Sequence, residues 1–239
     1  MVNVAVIFAG GIGSRMNAKA LPKQFLEVHG KPIIIHTLEK FEEHSEIDGI
    51  AIAILSQYRG HLSKLLHRYE ISKVRWIVDG GDTGQVSRHR ALQAVADSCP
   101  AETVVLIHDG VRPLINAQLI SENIDSVIRH GSGITCTKFS ETVVSSTTPR
   151  IDEVIPRDHI YAAQAPQSFR LGEILGLYDQ AVADDELNSI DSCTLMHRYG
   201  REIFRVDGPR SNVKITTAED FYVCRAFFEV IENRQIVGL

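Results

Sequence analysis

Gly10, Gly11 and Gly13 fall within four residues, and two cations, Arg15 and Lys23, follow within the next ten. Glycine lets a backbone turn sharply and come close to a ligand with no Cβ in the way. The amides of such a turn can point inward at a phosphate chain. A guanidinium and an ammonium beside them supply the charge that a polyphosphate site needs. The Gly-Lys-Ser/Thr sequence that closes a P-loop is absent. A dinucleotide fingerprint would need a third glycine where Met16 stands. Arg15 sits inside the loop instead, and a fork of donors there suits a departing pyrophosphate. The plainer alternative is an ordinary strand-to-loop turn with surface cations.

Two further turns carry reactive residue types. Gly80-Gly81-Asp82 is followed by Ser87, and His108-Asp109-Gly110-Val111-Arg112-Pro113 ends an apolar run. Asp109 is a candidate Mg²⁺ ligand, because magnesium is usually held by one or two carboxylates plus substrate phosphates. Its alternative is a cap on the following turn, a common use of Asp. His108 and Ser87 lie on separate turns without an orienting carboxylate, so no covalent triad is visible.

The elements that must position these residues alternate. The first residues up to Phe8 form a short apolar run with β-branched members, the composition of a buried strand. A helical pattern starts after Lys31-Pro32, with proline well placed at a first turn. Residues 49–55 are almost continuously apolar and read as a central strand buried on both faces. Predicted helices at 61–69, 87–96 and 117–130 alternate with predicted strands at 74–78 and 103–107. This order gives a mainly parallel sheet with helices on both faces. Ligands of such sheets bind beyond the carboxyl ends of strands, and all three turns follow strands.

The pattern changes between about 139 and 163. A Ser/Thr-rich segment around 142–149 and a returning strand at 150–155 read as a hairpin that leaves the main sheet, by itself an ordinary solvated surface hairpin. Helices at 171–182 and 190–199, strands at 202–207 and 213–215, and a last helix from Ala218 to about Asn233 complete the chain. Thr217 is placed to cap that helix.

Composition narrows the class. The chain has 239 residues, 44% of them hydrophobic, which is enough for one sizeable core and one α/β domain spanning 1–239. A net charge of −5, from 25 basic and 30 acidic residues, argues against a general nucleic-acid binder. Cys99, Cys136, Cys193 and Cys224 are scattered without a C-x-x-C pair and read as reduced thiols. No apolar run approaches the roughly 20 residues of a membrane span, and the amino terminus reads straight into a strand. The expectation is a cytoplasmic protein.

Ala9-Gly10-Gly11-x-Gly13-x-Arg15-Met16, with Pro22-Lys23-Gln24-Phe25, resembles the nucleotidyltransferases that make CDP-linked alcohols. More narrowly, it resembles the cytidylyltransferases for 2-C-methyl-D-erythritol 4-phosphate and ribitol 5-phosphate. Matches continue in family order through Gly80-Gly81-Asp82 and Ser87, the His108–Pro113 turn, Pro166-Gln167-Ser168-Phe169, and Asn212-Val213-Lys214-Ile215-Thr216. The resemblance implies a Rossmann-like sheet, CTP and a polyol phosphate as substrates, Mg²⁺, and a homodimer in which the 139–163 arm embraces a second subunit. It implies that a phosphate monoester attacks the α-phosphorus of CTP and releases pyrophosphate. Arg15 and Lys23 would stabilise the transition state, and Asp109 would hold the metal. Phe8, Ala9, Gly10, Gly11, Gly80, Gly81, Asp82, Ser87 and Gly110 would bind the nucleotide. Arg112, Thr142, Arg157 and Lys214 would position the acceptor, with Arg157 and Thr142 acting across the dimer. Arg157 as an interface ion pair, Lys214 as a strand-edge charge and Thr142 as hairpin composition are the plainer alternatives.

Gly84 stands where the family usually has Arg, and Val86 where it has an acid or amide; Arg88 or Arg90 are candidates to compensate. Val111, the 35–41 and 164–169 segments, and Ser211 lean toward the ribitol branch, with methylerythritol phosphate as the alternative acceptor. Two other functions compete. A nicotinamide-dependent oxidoreductase lacks support at Met16 and in the Lys23-Gln24 segment. A catalytically dead assembly subunit is favoured only by Gly84.

Overall fold

A computed structural model describes residues 1–10 and 22–237. Among these the strands are β1 (Asn3–Phe8), β2 (Glu27–Val28), β3 (Lys31–Pro32), β4 (Gly49–Ile54), β5 (Val74–Asp79), β6 (Val104–Asp109), β7 (Ser132–Lys138), β8 (Val143–Ser145), β9 (Glu153–Ile155), β10 (Tyr161–Arg170) and β11 (Arg205–Asp207). The α-helices are α1 (Ile33–Glu42), α2 (Arg59–Arg68), α3 (Gly84–Ala96), α4 (Ala117–His130), α5 (Leu171–Ala183), α6 (Ser192–Arg198) and α7 (Ala218–Val237).

The main sheet has the order β11-β7-β10-β6-β1-β4-β5. Strands β6, β1, β4 and β5 run parallel, β10 is antiparallel to both β6 and β7, and β11 is parallel to β7. Side chains alternate across a strand, and the core follows that period. Ala5, Ile7, Ile50, Ile52 and Leu106 pack against α1, α2 and α4. Val4, Val6, Ala51, Ala53, Val105 and Ile107 pack against α3, α5 and α6. Strands β4 and β6 are buried throughout. The mainly parallel sheet with helices on both faces is therefore as expected.

Local chemistry sets the helix starts that matter for the site. The Thr83 hydroxyl accepts from Val86 N at 3.2 Å and caps α3. Thr217 accepts from Asp220 N while Asp220 accepts from Thr216 and Thr217 N, so the expected cap of α7 is part of a reciprocal arrangement.

Two strands of the main sheet, β7 and β10, were absent from the sequence-based expectation, as were the short β2 and β3. Strand β10 carries Gln164, Pro166, Gln167 and Ser168, and proline lacks a ladder donor; its register with β7 shifts between Ala163 and Gln167. Its polar members are satisfied inside the protein. Ser168 donates to Asn123 Oδ1 at 3.0 Å, and Asn123 Nδ2 donates to the Thr135 hydroxyl on β7 at 3.0 Å. The strand expected at 213–215 does not form. That segment is pinned by single bonds, Ile215 N to Val111 O at 3.0 Å and Asn212 Nδ2 to Ala165 O at 2.8 Å. The strand expected over 202–207 shortens to Arg205–Asp207.

Strands β8 and β9 form a separate two-stranded hairpin. Val144, Ile151 and Val154 on it are 45%, 57% and 60% exposed, an apolar display that the subunit itself leaves uncovered.

Candidate active site

The chain leaves β1 toward β4 on one side and returns in β6 on the other. Strands β1 and β6 therefore flank a switch point, where open α/β sheets bind ligands beyond the carboxyl ends. Phe8 and Asp109 are register partners there. Gly110 N donates to Phe8 O at 3.1 Å, and a Cβ on Gly110 would lie 3.2 Å from Ala9 Cβ, so glycine lets the two strand ends close without a neighbour having to give.

Asp109 is 3% exposed and sits between two cations. Lys214 Nζ is 2.5 Å from Oδ1, and Arg112 Nε donates to Oδ2 at 3.2 Å. Burial alone would raise the pKa of Asp109, but the Lys214 and Arg112 charges outweigh it and hold the carboxyl at about 2. Arg112 also donates from Nη1 to Asn212 O at 2.5 Å, tying the Asp109 turn to the segment that carries Lys214. His108 is fully buried and its Nε2 donates to Arg112 O at 3.0 Å. Burial pushes its pKa down to about 4. It is neutral near pH 7 and braces the turn.

On the other side of β1, Ala9 N bonds Ala53 O and Gly80 N bonds Ile54 O, both at 2.8 Å, which extends the strand ends into turns. Gly81 N donates to the Ser87 hydroxyl at 3.0 Å, and that hydroxyl donates to Thr83 O at 2.9 Å. A Cβ on Gly81 would lie 2.2 Å from Val86 Cγ1, so Val86 itself makes glycine obligatory there. Gly10 approaches the same hydroxyl. Gly10, Gly80, Gly81 and Ser87 are thus brought together, with Asp82 exposed at the edge of the turn. Lys23 sits in a short 3₁₀ turn, Lys23–Phe25. The neighbouring Gln24, 1% exposed, donates to Ala9 O at 2.7 Å and attaches that turn to the end of β1. Gly11 and Arg15 lie outside the described residues.

A cavity of about 390 Å³ opens at this end of the sheet, lined by Phe8, Asp109, Arg112 and Lys214 together with Gly84 and Arg88. Thr142 and Arg157 do not line it. Both are exposed on the hairpin, where Arg157 Nη1 donates to Ser140 O at 2.8 Å. Gln24 is a residue whose part in the site the sequence left unassigned, and of the two candidates to compensate for Gly84 it is Arg88 that lines the cavity. Gln24 lies in the Pro22–Phe25 motif beside Lys23, and that placement was its only signal in the sequence.

Glycine turns at a switch point, a buried acid clasped by cations and a cavity walled by Asp109, Arg112, Lys214 and Arg88 beside them define a nucleotidyltransferase-like α/β enzyme. Residues 3–230 match the family described as IspD, 2-C-methyl-D-erythritol 4-phosphate cytidylyltransferase. The chain belongs to that family and is a CTP-dependent cytidylyltransferase, as the motif resemblance implied. It is 46% identical to a ribitol-5-phosphate cytidylyltransferase of Streptococcus agalactiae serotype V, over 100% of both chains. It is 44% identical to one of Vibrio parahaemolyticus, over 99% of this chain and 100% of the relative. A 2-C-methyl-D-erythritol 4-phosphate cytidylyltransferase of Geobacillus kaustophilus is 33% identical over 93% of this chain and 95% of the relative. Among solved structures, the 4-diphosphocytidyl-2C-methyl-D-erythritol synthase of Anaerococcus prevotii superposes with a TM-score of 0.82 at 28% identity, covering 95% of this chain and 96% of that one. No helix among the described residues is long and apolar enough to cross a membrane.

Proposed function

We propose that the chain transfers the cytidylyl group of CTP to ribitol 5-phosphate, forming CDP-ribitol. An oxygen of the acceptor phosphate attacks the α-phosphorus, the bond from that phosphorus to the bridging β-phosphate oxygen breaks, and pyrophosphate leaves. The observation that carries the choice of acceptor is the full-length identity of 44–46% to relatives described as ribitol-5-phosphate cytidylyltransferases, against 33% for a methylerythritol phosphate relative. Ser211, just before the Lys214 segment, leaves a short uncharged side chain there.

Each site residue has a part in this reading. Arg15 and Lys23 stabilise charge on the transferring phosphoryl group. Phe8, Ala9, Gly10, Gly11, Gly80, Gly81, Asp82, Ser87 and Gly110 hold the nucleotide. Lys214 and Arg112 hold the acceptor phosphate from one subunit. Thr142 and Arg157, displayed away from the cavity, reach a second copy of the chain. The 139–163 arm with its exposed Val144, Ile151 and Val154 is the dimerisation element of an otherwise single domain. Asp109 suits Mg²⁺, its carboxyl being held at about 2 and so ionised near pH 7, and one carboxylate plus substrate phosphates is a usual magnesium set. When bound, the ion would draw charge from the triphosphate and orient it. Four free cysteines support work in a reducing cytoplasm.

Pyrophosphate release with CTP, assayed side by side on ribitol 5-phosphate and methylerythritol phosphate, tests the proposal. The expected result is a higher kcat/KM for ribitol 5-phosphate. The reverse ranking overturns the acceptor and leaves cytidylyl transfer standing.

A further inference from the structure

Arg88 is a buried cation without a countercharge among the described residues. It is 3% exposed on α3 and lines the cavity with Phe8, Asp109 and Lys214. Its Nε donates to the Tyr178 hydroxyl at 2.8 Å, and its Nη2 donates to Ser189 O at 3.1 Å and Ile190 O at 3.4 Å. All three acceptors are neutral. Among the described residues no carboxylate lies within 4.0 Å of its side-chain nitrogens. Of the two acids on the cavity wall, Asp109 is taken by Lys214 and Arg112. Asp191 accepts from Thr194 and Gln167. A buried charge is costly unless it is paired.

The side chain is held with one end toward open space. The bonds to Tyr178 and the 189–190 backbone use Nε and Nη2. Nη1 points at Gly84, where a Cβ would lie 3.2 Å from it. Glycine at 84 therefore leaves room for that end of the guanidinium beside the cavity. Arg88 Cζ also lies 5.3 Å from the Phe8 ring centroid, and Lys214 Nζ lies 5.5 Å from the same centroid. Two cations thus gather at one ring at the end of β1.

We propose that Arg88 is an anion-binding residue of this cavity, with Nη1 donating to a phosphoryl oxygen of a bound substrate. The proposal rests on the cytidylyl-transfer reading for its two sources of phosphate, the CTP chain and the acceptor phosphate. A charge-assisted hydrogen bond of this kind corresponds to about 10- to 100-fold in affinity.

The test compares wild type, Arg88→Gln, Arg88→Lys and Gly84→Ala as full-length proteins, by KM for CTP, KM for ribitol 5-phosphate, kcat and Tm. Arg88→Gln is expected to raise one KM about 10- to 100-fold, and the substrate affected names the source. Arg88→Lys, which keeps charge but not the fork, should recover part of that loss. Gly84→Ala leaves the Nε and Nη2 bonds in place and crowds Nη1, so a rise of a few-fold in one KM is expected; it decides the matter if Arg88→Gln does not fold. A purely structural Arg88 would lower Tm or kcat with both KM values unchanged, and that result overturns the proposal. If wild type does not turn over ribitol 5-phosphate, the acceptor assignment fails on its own. Calorimetric titration of CTP and of inorganic phosphate then still reads Arg88, with at least about 10-fold weakening of one expected; equal affinity for both overturns it.

Discussion

Lys214 Nζ lies 2.5 Å from Asp109 Oδ1, joining the segment before the last helix to the end of β6. Arg112 completes the clasp from the other carboxylate oxygen. The arrangement stores two cations around one acid at the point where, in the proposed reaction, two anionic substrates meet. A metal or a substrate phosphate arriving there competes for charges that are already placed and need little reorganisation.

Asp109→Asn should therefore do two things. It removes the candidate metal ligand, so Mg²⁺ dependence of CTP binding should weaken. It also leaves Arg112, 6% exposed, beside a neutral amide, and breaking a buried pair from one side costs roughly 3–5 kcal/mol. Calorimetric CTP titration with and without Mg²⁺, together with thermal melts, reads both effects. An unchanged Mg²⁺ dependence would remove Asp109 from the metal site.

Lys23→Ala isolates a different charge. If the ammonium acts mainly in the transition state, kcat should fall roughly 10²–10³-fold with little change in CTP affinity. Steady-state kinetics beside a binding titration separates the two, and near-normal turnover excludes the role.

The parts of this protein legible in its sequence are those where one physical signal dominates. Continuous apolar runs marked β1, β4 and β6, and glycine clusters marked the turns at their ends. Strand β10 was illegible because its buried run, Ala165 to Phe169, interrupts apolar residues with a proline and the polar Gln167 and Ser168. Ser168 is tolerated only because Asn123 and Thr135, from α4 and β7, complete its hydrogen bonding. Partnerships of that kind are not carried by local pattern. The same limit left Arg88 undecided against Arg90 as the residue that compensates for Gly84. Its place on a helix was readable, but burial against Tyr178 and the 189–190 backbone depends on how α5 and the loop after it pack. Arg15 and Gly11, central to the motif, lie outside the described residues.

His108 supplies a pH signature. Burial lowers its pKa to about 4, below the unfolded value near 6.5, with Asp109, Arg112 and Lys214 as the neighbouring charges. Between these values the unfolded chain binds a proton that the folded chain refuses, so stability falls as pH drops from about 6.5 to 4, by up to about 3 kcal/mol. Asp109, with its folded pKa depressed to about 2, adds a further loss below about pH 4. Denaturant midpoints across pH 7 to 4 should show the first loss, and His108→Gln should flatten it while lowering stability overall. A slope unchanged by the substitution would assign the effect elsewhere.

Arg157 is exposed on the hairpin and bonds only Ser140 O within its own subunit among the described residues, away from the cavity that holds Asp109 and Lys214. If it serves catalysis, it does so in a second copy of the chain. The consequence is directional. In a heterodimer of Lys23→Ala and Arg157→Ala subunits, one site pairs the Lys23→Ala core with the Arg157→Ala arm and carries both lesions. The other pairs an intact core with an intact arm. Two preparations that are each inactive should therefore regain activity on mixing, at up to half the sites of each heterodimer. Subunit exchange is followed independently, by native mass spectrometry of a mass-tagged partner, so that lack of recovery can be read. Recovery that tracks the heterodimer fraction supports a shared site. Complete exchange with no recovery would mean that Arg157 works within its own subunit or only holds the base of the hairpin.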